Sequence, residues 1–390
     1  MLFKRAARLD KLPSYLFIEI DRRKKEAVAA GKEVIDFGVG DPDRPTPRFI
    51  IDCMAEAIYD PKNHAYPFGT GIPEYREAAA DWLANRFGVV VDPKTDVLTL
   101  LGSKEGLGHL PVAVINPGDV ALIPTPAYPV YNAATLFAGG VPFFMPLTEE
   151  HAFLPDMDAI PTGTLGKTAL MFLNYPNNPT GAVAPLEFYE QCIHLAQKHG
   201  FVICSDAPYT ELYFDDDDRP HSILEVPGAK DVCIEMHSLS KTFNMTGWRL
   251  AFAAGHADVL AALAKVKGNM DSGAFAAVQH AGVAALRGFD HPDIAGIRAL
   301  YKERRDLLVP RLKQVGFHID PPRATFYVWA RCPDGYDSMR CATKLLDEAA
   351  VVAIPGIGFG EPGDGFVRFS LTVDRERIIE ATSRLADLKW

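Results

Sequence analysis

No stretch of this chain approaches the roughly 18 uninterrupted apolar residues that a membrane-spanning helix needs. Even the apolar region from Leu250 to Val266 is broken by His256, Asp258 and Lys265, so no membrane partner is expected. The N-terminal MLFKRAARLDKLPSYLF is basic but has no apolar core followed by a small-residue cleavage site, so it does not read as a secretory leader and the cytoplasm is the expected compartment. Cysteine is sparse and unpatterned. The six residues 53, 192, 204, 233, 332 and 341 include no C-x-x-C pair, which argues against a disulfide scaffold or a metal site and for buried free thiols. Positive charge is also in deficit. With 40 Lys and Arg against 50 Asp and Glu the net charge is -10, the wrong sign for a nucleic-acid partner. The acidic run Asp215 to Asp218 points its carboxylates in different directions and reads as a solvated loop.

What is present is a packed α/β pattern. The chain has 390 residues, 48% of them hydrophobic, enough for two domains. Short β-branched runs (97–101, 120–124, 168–174, 201–206, 232–238 and 249–254) alternate with amphipathic stretches (73–87, 104–114, 128–138, 185–199 and 258–267). That alternation predicts a mainly parallel sheet between helices. After about residue 285 it gives way to a long charged helix (292–315), two strand candidates (325–330 and 366–371) and a closing helix from Asp374. The expected organisation is a large domain over 46–285 and a smaller α+β domain formed by 1–45 and 286–390. The N-terminal part, with its own helix from Leu16 to Ala29, is too short to fold alone and should pack on the C-terminal domain or on a partner subunit.

The chemistry concentrates in Ser238-Leu-Ser-Lys-Thr-Phe-Asn-Met-Thr-Gly-Trp-Arg249. Ser238, Ser240 and Arg249 are the donors suited to grip a phosphate, and they would place it beside the amine of Lys241. A cofactor that needs both is pyridoxal 5'-phosphate, bound as a Schiff base to lysine and anchored by its phosphate. Asp206 ends an apolar run, so its carboxylate should emerge at the carboxyl edge of the sheet, where it can pair with a protonated pyridine nitrogen. Asn178 and Tyr209 follow neighbouring strands and can donate to the phenolic oxygen of the cofactor. Ser103 and Lys104 open a helix whose first N–H groups can face the phosphate, and Tyr128 could stack on the ring. Arg368 alternates with apolar residues on a candidate strand and suits a bidentate grip on a carboxylate.

Each of these has a plainer reading: a cap or turn for Asp206, an Asn-Pro turn for Asn178, core for Tyr128, a solvent-facing strand arginine for Arg368. Two phosphate motifs are decoys. Gly166-Lys-Thr168 has Pro161 where a P-loop needs glycine, and the GxGxxG match at Gly358 to Gly363 lacks a βαβ context.

Taken together, Ser-x-Ser-Lys-x-x-x-Met-x-Gly-x-Arg, Asn178-Pro-Thr-Gly181 and Asp206-x-x-Tyr209 resemble the fold-type I, pyridoxal-phosphate-dependent aminotransferases of class I/II, from about residue 10 onwards. The resemblance implies an enzyme exchanging an amino group between an amino acid and a 2-oxo acid. It makes Lys241 the Schiff-base lysine, assigns Asp206, Asn178 and Tyr209 to the pyridine, and assigns Ser103, Ser238, Ser240 and Arg249 to the phosphate. It implies a homodimer in which Tyr66 reaches the neighbouring subunit's phosphate. It also makes Arg368 the binder of the substrate α-carboxylate, with Gly40, Asn178 and Asn269 beside the substrate.

A narrower likeness, carried by Leu12-Pro-Ser-Tyr-Leu-Phe, Gly40-Asp-Pro-Asp, Gly102-Ser-Lys-Glu-Gly106, Pro129-Val-Tyr131 and Asn269-Met-Asp-Ser-Gly273, is to the LL-diaminopimelate aminotransferases of lysine biosynthesis. Pro126-Ala-Tyr-Pro129 stands where that group has Pro-Gly-Tyr-Pro. Aspartate, alanine and aromatic aminotransferases, other pyridoxal-phosphate reactions such as C–S lysis, and a non-catalytic sensing module are the competing readings.

Overall fold

The computed structural model describes residues 4–12, 16–67 and 69–390. Residues 13–15 of the 12–17 motif, and residue 68 in the segment that carries Tyr66, lie outside the described residues. The core is a seven-stranded sheet of β2 (Val97–Leu100), β3 (Val120–Thr125), β4 (Val141–Pro146), β5 (Thr168–Leu173), β6 (Val202–Asp206), β7 (Cys233–Ser238) and β8 (Ala251–Gly255), in the order β2-β8-β7-β6-β5-β3-β4. Only β8 runs antiparallel to its neighbours, against β2 on one side and β7 on the other. All the other strands therefore end at one edge of the sheet, and β8 begins there. β7 and β8 are buried along their whole length and β5 at every residue but Ala169, as expected of strands covered by helices on both faces.

β4 was absent from the sequence expectation. It carries Pro142 and Pro146 and is half exposed, and proline is tolerated because β4 is an edge strand paired on one side only. The six expected strands are present with ends within two residues of the reading, and the helix over Pro73–Phe87 matches it end to end. Helices Arg48–Ala57, Ala276–Arg287 and Ser338–Ala349 are additional.

A three-stranded antiparallel sheet, β11 (Ile354–Pro355), β12 (Phe366–Ser370) and β9 (Tyr327–Arg331), lies in the C-terminal part. The N-terminal part packs on it. β1 (Ile35–Asp36) pairs in parallel with β10 (Val351–Val352), Arg23 bonds Thr343 and Asp347, and the Ser370 N–H donates to the Phe37 carbonyl.

Arg304, fully buried on helix Pro292–Gln314, clamps the turn that follows Gly40. Its two Nη atoms each lie 2.7 Å from a different Asp43 oxygen, and Nη1 also donates to the Leu371 carbonyl at 2.9 Å. This guanidinium holds the Asp43 carboxyl below its ordinary pKa, against the raising effect of burial.

All six cysteines are free, five of them buried. The acidic loop is exposed except at Asp218, which pairs with Arg323. Among the described residues no helix is long and apolar enough to cross a membrane.

Candidate active site

The shared carboxyl edge of the sheet explains why residues far apart in sequence meet. Asp206 is the last residue of β6, Ser238 the last of β7, Asn174 follows β5, Gly102 and Ser103 follow β2, and Arg249 precedes the reversed β8. Ligands in open α/β sheets bind at this edge. Here it carries a cavity of about 520 Å³ whose lining includes Ser103, Lys104, Tyr128, Asn178, Asp206 and Tyr209, together with Gly40, Ser238, Ser240, Lys241, Arg249 and Arg368.

Three local devices build its floor. The Ser238 hydroxyl caps the short helix Leu239–Thr242 by accepting the Ser240 N–H at 3.2 Å, which leaves Lys241 one turn in and facing the cavity. Gly102 takes φ +79° ahead of helix Ser103–Val114, and a Cβ there would lie 2.1 Å from Arg249 Nη2, so only glycine lets the guanidinium lie across the turn. Arg249 itself adopts φ +55°, uncommon for a side-chain-bearing residue. Its Nη1 donates to the Thr246 carbonyl at 2.8 Å and its Nη2 to that of Leu101 at 3.5 Å. Two serine hydroxyls, a helix start and an arginine thus border one side of the cavity, a donor set that suits a phosphate.

Asp206 is 4% exposed. Its Oδ2 accepts from the Tyr131 hydroxyl at 2.7 Å, whereas Oδ1 has no hydrogen-bond partner in the protein. Burial, partly countered by the Tyr131 bond and by His237, pushes its pKa up to about 7. An orphaned buried carboxylate oxygen is costly, and a cationic ring N–H entering the cavity would satisfy it. The pyridinium of pyridoxal phosphate is such a group, so the residues present fit that cofactor.

Tyr131 stacks on Phe172 with centroids 4.8 Å apart. It was visible in the sequence only as part of a motif, and its contact with Asp206 spans 75 positions. The Asn174 amide donates to the Asp206 carbonyl at 2.7 Å, and its oxygen accepts the Asn178 N–H at 2.9 Å. The Asn-Pro turn is thereby tied to the aspartate strand.

Lys241 Nζ donates to the Gly40 carbonyl at 2.7 Å. Burial, foremost, lowers its pKa below the ordinary lysine value; Tyr327 and Asp41 oppose that shift, and Arg368 and Arg249 add to it. Arg368 is 4% exposed, with Nη1 on Asn178 Oδ1 at 2.7 Å and Nη2 on the Gly38 carbonyl at 3.0 Å. It lies over the rings of Tyr327 and Phe359, at 4.2 and 4.7 Å from their centroids. The solvent-facing alternative for this strand arginine is therefore excluded.

Tyr209 is buried, 3.3 Å from the Tyr327 hydroxyl, and burial raises its pKa. Tyr327 was not among the sequence candidates. Its role at the site is legible only from packing: a Cβ on Gly40 would lie 2.1 Å from its hydroxyl. Lys104 lies at the rim, its Nζ 5.7 Å from the Tyr128 ring centroid.

Two candidates do not join this cavity. Tyr66 is 72% exposed and lines a separate depression with His64 and Phe275. Asn269 is exposed near the end of helix Ala257–Met270, and its amide donates to the Lys265 carbonyl at 2.8 Å.

Comparison with known proteins gives the family of the chain. The family model "Aminotransferase class I and II" matches residues 32–385. An LL-diaminopimelate aminotransferase of Syntrophobacter fumaroxidans is 54% identical over 390 residues, covering 100% of both chains. One from Aquifex aeolicus is 49% identical, again covering 100% of both. Among solved structures, substrate-bound BacF from Bacillus subtilis superposes with a TM-score of 0.94 at 37% identity, covering 100% of this chain and 99% of that one. A probable N-succinyldiaminopimelate aminotransferase from Thermus thermophilus gives 0.90 at 38%, covering 95% and 99%.

Proposed function

This chain belongs to the aminotransferase class I and II family, and on that premise we propose that it exchanges an amino group between LL-diaminopimelate and 2-oxoglutarate, a step of lysine biosynthesis. The observation that carries the reaction is the meeting of the Lys241 amine, the orphaned Asp206 oxygen and the buried Arg368 guanidinium at one cavity. The substrate reading is supported by the names of relatives about half identical over the whole chain.

Pyridoxal 5'-phosphate is the cofactor; when bound it supplies a carbon that carries the amino group between substrates and a ring that takes up the electron pair left when the α-proton departs. Ser103, Lys104, Ser238, Ser240 and Arg249 would hold its phosphate and Asp206 its ring nitrogen. Asn178 and Tyr209 would donate to its phenolic oxygen, and Tyr128 would lie against the ring. The Lys241 amine takes the proton from the substrate α-carbon. A lysine at its unperturbed pKa of about 10.4 would be charged and unable to do so, and the burial that lowers the Lys241 pKa works in the needed direction. Arg368, oriented by Asn178 and Gly38, grips the α-carboxylate and so fixes where the α-hydrogen points.

Arg368→Lys keeps the charge but not the planar fork. KM for the amino acid is expected to rise about tenfold to a hundredfold, with cofactor absorbance retained. An unchanged KM would assign the carboxylate to another residue. Donor choice is tested by rates of glutamate formation from 2-oxoglutarate with LL-diaminopimelate, aspartate, alanine or phenylalanine. LL-diaminopimelate should be fastest, and a faster aspartate or aromatic donor would overturn the substrate reading.

The same reading makes the enzyme a homodimer, supported by exposed Tyr59, Tyr66, Met270 and Phe275 near residues that have no place in their own cavity. It divides the chain into a large domain over 46–285 and a small one from 1–45 and 286–390, supported by the pairing of β1 with β10. The cytoplasm is supported by six unpaired cysteines.

A further inference from the structure

Lys267, on helix Ala257–Met270, has a side chain only 5% exposed. Burying an ammonium is costly unless it is paired, and its partners are two carboxylates: Glu105 Oε2 at 2.8 Å and Asp271 Oδ2 at 3.2 Å. Glu105, His109 and Asp271 offer ligand atoms within 4.8 Å of one another, but the cation they hold is this ammonium.

Glu105 has a second task. The oxygen that accepts from Lys267 also accepts the backbone N–H of Leu101 at 3.1 Å, while Oε1 lies 2.6 Å from His109 Nδ1. Leu101 immediately precedes Gly102 and Ser103, the turn on which Arg249 rests. At the far end of the network Asp271 Oδ1 accepts the Gly273 N–H at 2.8 Å. Gly273, at φ +86°, leaves room for the Pro67 carbonyl, which a Cβ would approach to 2.8 Å.

We propose that Lys267, with Glu105 and Asp271, is a positioning network that sets the Leu101–Ser103 turn to receive the cofactor phosphate. Glu105 lies in the first turn of helix Ser103–Val114, where an anionic side chain competes with a bound anion for the positive helix end. The Lys267 ammonium neutralises that competition while the Leu101 bond fixes where the first helical N–H groups point. Without Lys267 the part-buried carboxylates of Glu105 and Asp271, 13% and 17% exposed, would lose their shared cation behind the Leu101–Ser103 turn. The inference rests on the reading that the phosphate is held at Ser103, Ser238, Ser240 and Arg249.

The experiment titrates cofactor-free protein with pyridoxal 5'-phosphate and, separately, with pyridoxal, which has the same ring and aldehyde but no phosphate. Wild type should strongly prefer the phosphorylated form. Lys267→Met should weaken pyridoxal 5'-phosphate by about tenfold or more while pyridoxal changes less than about twofold, and Lys267→Arg should recover most of the loss. Glu105→Ala leaves Lys267 paired with Asp271 and removes the anion that competes with the phosphate together with the acceptor of the Leu101 N–H, so a selective loss of pyridoxal 5'-phosphate affinity in this variant isolates the positioning effect and decides the matter if Lys267→Met does not fold. Equal weakening of both ligands, or no weakening in the folded variants, would overturn the inference. A wild type without preference for the phosphorylated form would instead overturn the phosphate assignment beneath it.

Discussion

Lys241→Ala is expected to lower turnover by at least about a thousandfold and to remove the visible absorption of lysine-bound cofactor, with the fold unchanged. The alanine variant loses both the amine that bonds the cofactor and the base that moves the α-proton, so the two contributions fall together. Folding should survive, because the amine donates to a backbone carbonyl, that of Gly40, and a buried lysine with a lowered pKa penalises the folded state as pH falls. Steady-state rates, an absorbance spectrum and a melting curve check the three parts. Ordinary transamination by the variant would remove Lys241 from the chemistry.

Asp206→Asn is expected to reduce kcat by about a hundredfold or more while the Tyr131 contact persists. Asparagine keeps shape and an acceptor but not the negative charge, and losing one partner of a buried ion pair costs about 3 to 5 kcal/mol. A kcat near wild type would show that Asp206 has no part in holding the ring nitrogen.

The same carboxyl gives cofactor-free protein a distinctive pH dependence. Its pKa is about 7 in the folded chain against a reference of 3.8, so the folded state holds the proton more tightly than the unfolded one. Stability from this group is fully present below pH 4 and is lost as pH rises towards 7. Each unit is worth about 1.4 kcal/mol, so the loss is on the order of 4 kcal/mol. Melting temperatures of the cofactor-free wild type and Asp206→Asn across that window should therefore converge at low pH and separate at neutral pH, with the variant the more stable. Bound cofactor should erase the difference by supplying the cationic partner of Oδ1.

Much of this was legible in the chain. Strand runs ending in Asp206 and Ser238 placed both side chains at a ligand-binding edge, because a parallel sheet brings such ends together. The hydroxyls, lysine and arginine between Ser238 and Arg249 are local and could be read as one unit. What was illegible depends on packing between distant segments. Tyr131 reaches Asp206 from the helix Val130–Phe137, Tyr327 closes over Gly40 from the C-terminal sheet, and Lys267 meets Glu105 across 162 positions. No spacing rule links such pairs. Asn269, placed beside the substrate by its motif neighbours alone, has its amide engaged within its own helix. β4 escaped because its prolines imitate a loop, and only its place at the sheet edge makes them tolerable.

The central claim is that this cavity moves an amino group rather than cleaving or releasing it. The most direct measurement mixes the cofactor-loaded enzyme with LL-diaminopimelate and no acceptor, and counts the oxo-acid product formed per active site. The account predicts about one equivalent, then no further product until 2-oxoglutarate is added, whereupon glutamate forms in step. Continuous product or free ammonia without an acceptor, or no product from LL-diaminopimelate while another amino acid gives one equivalent, would contradict it.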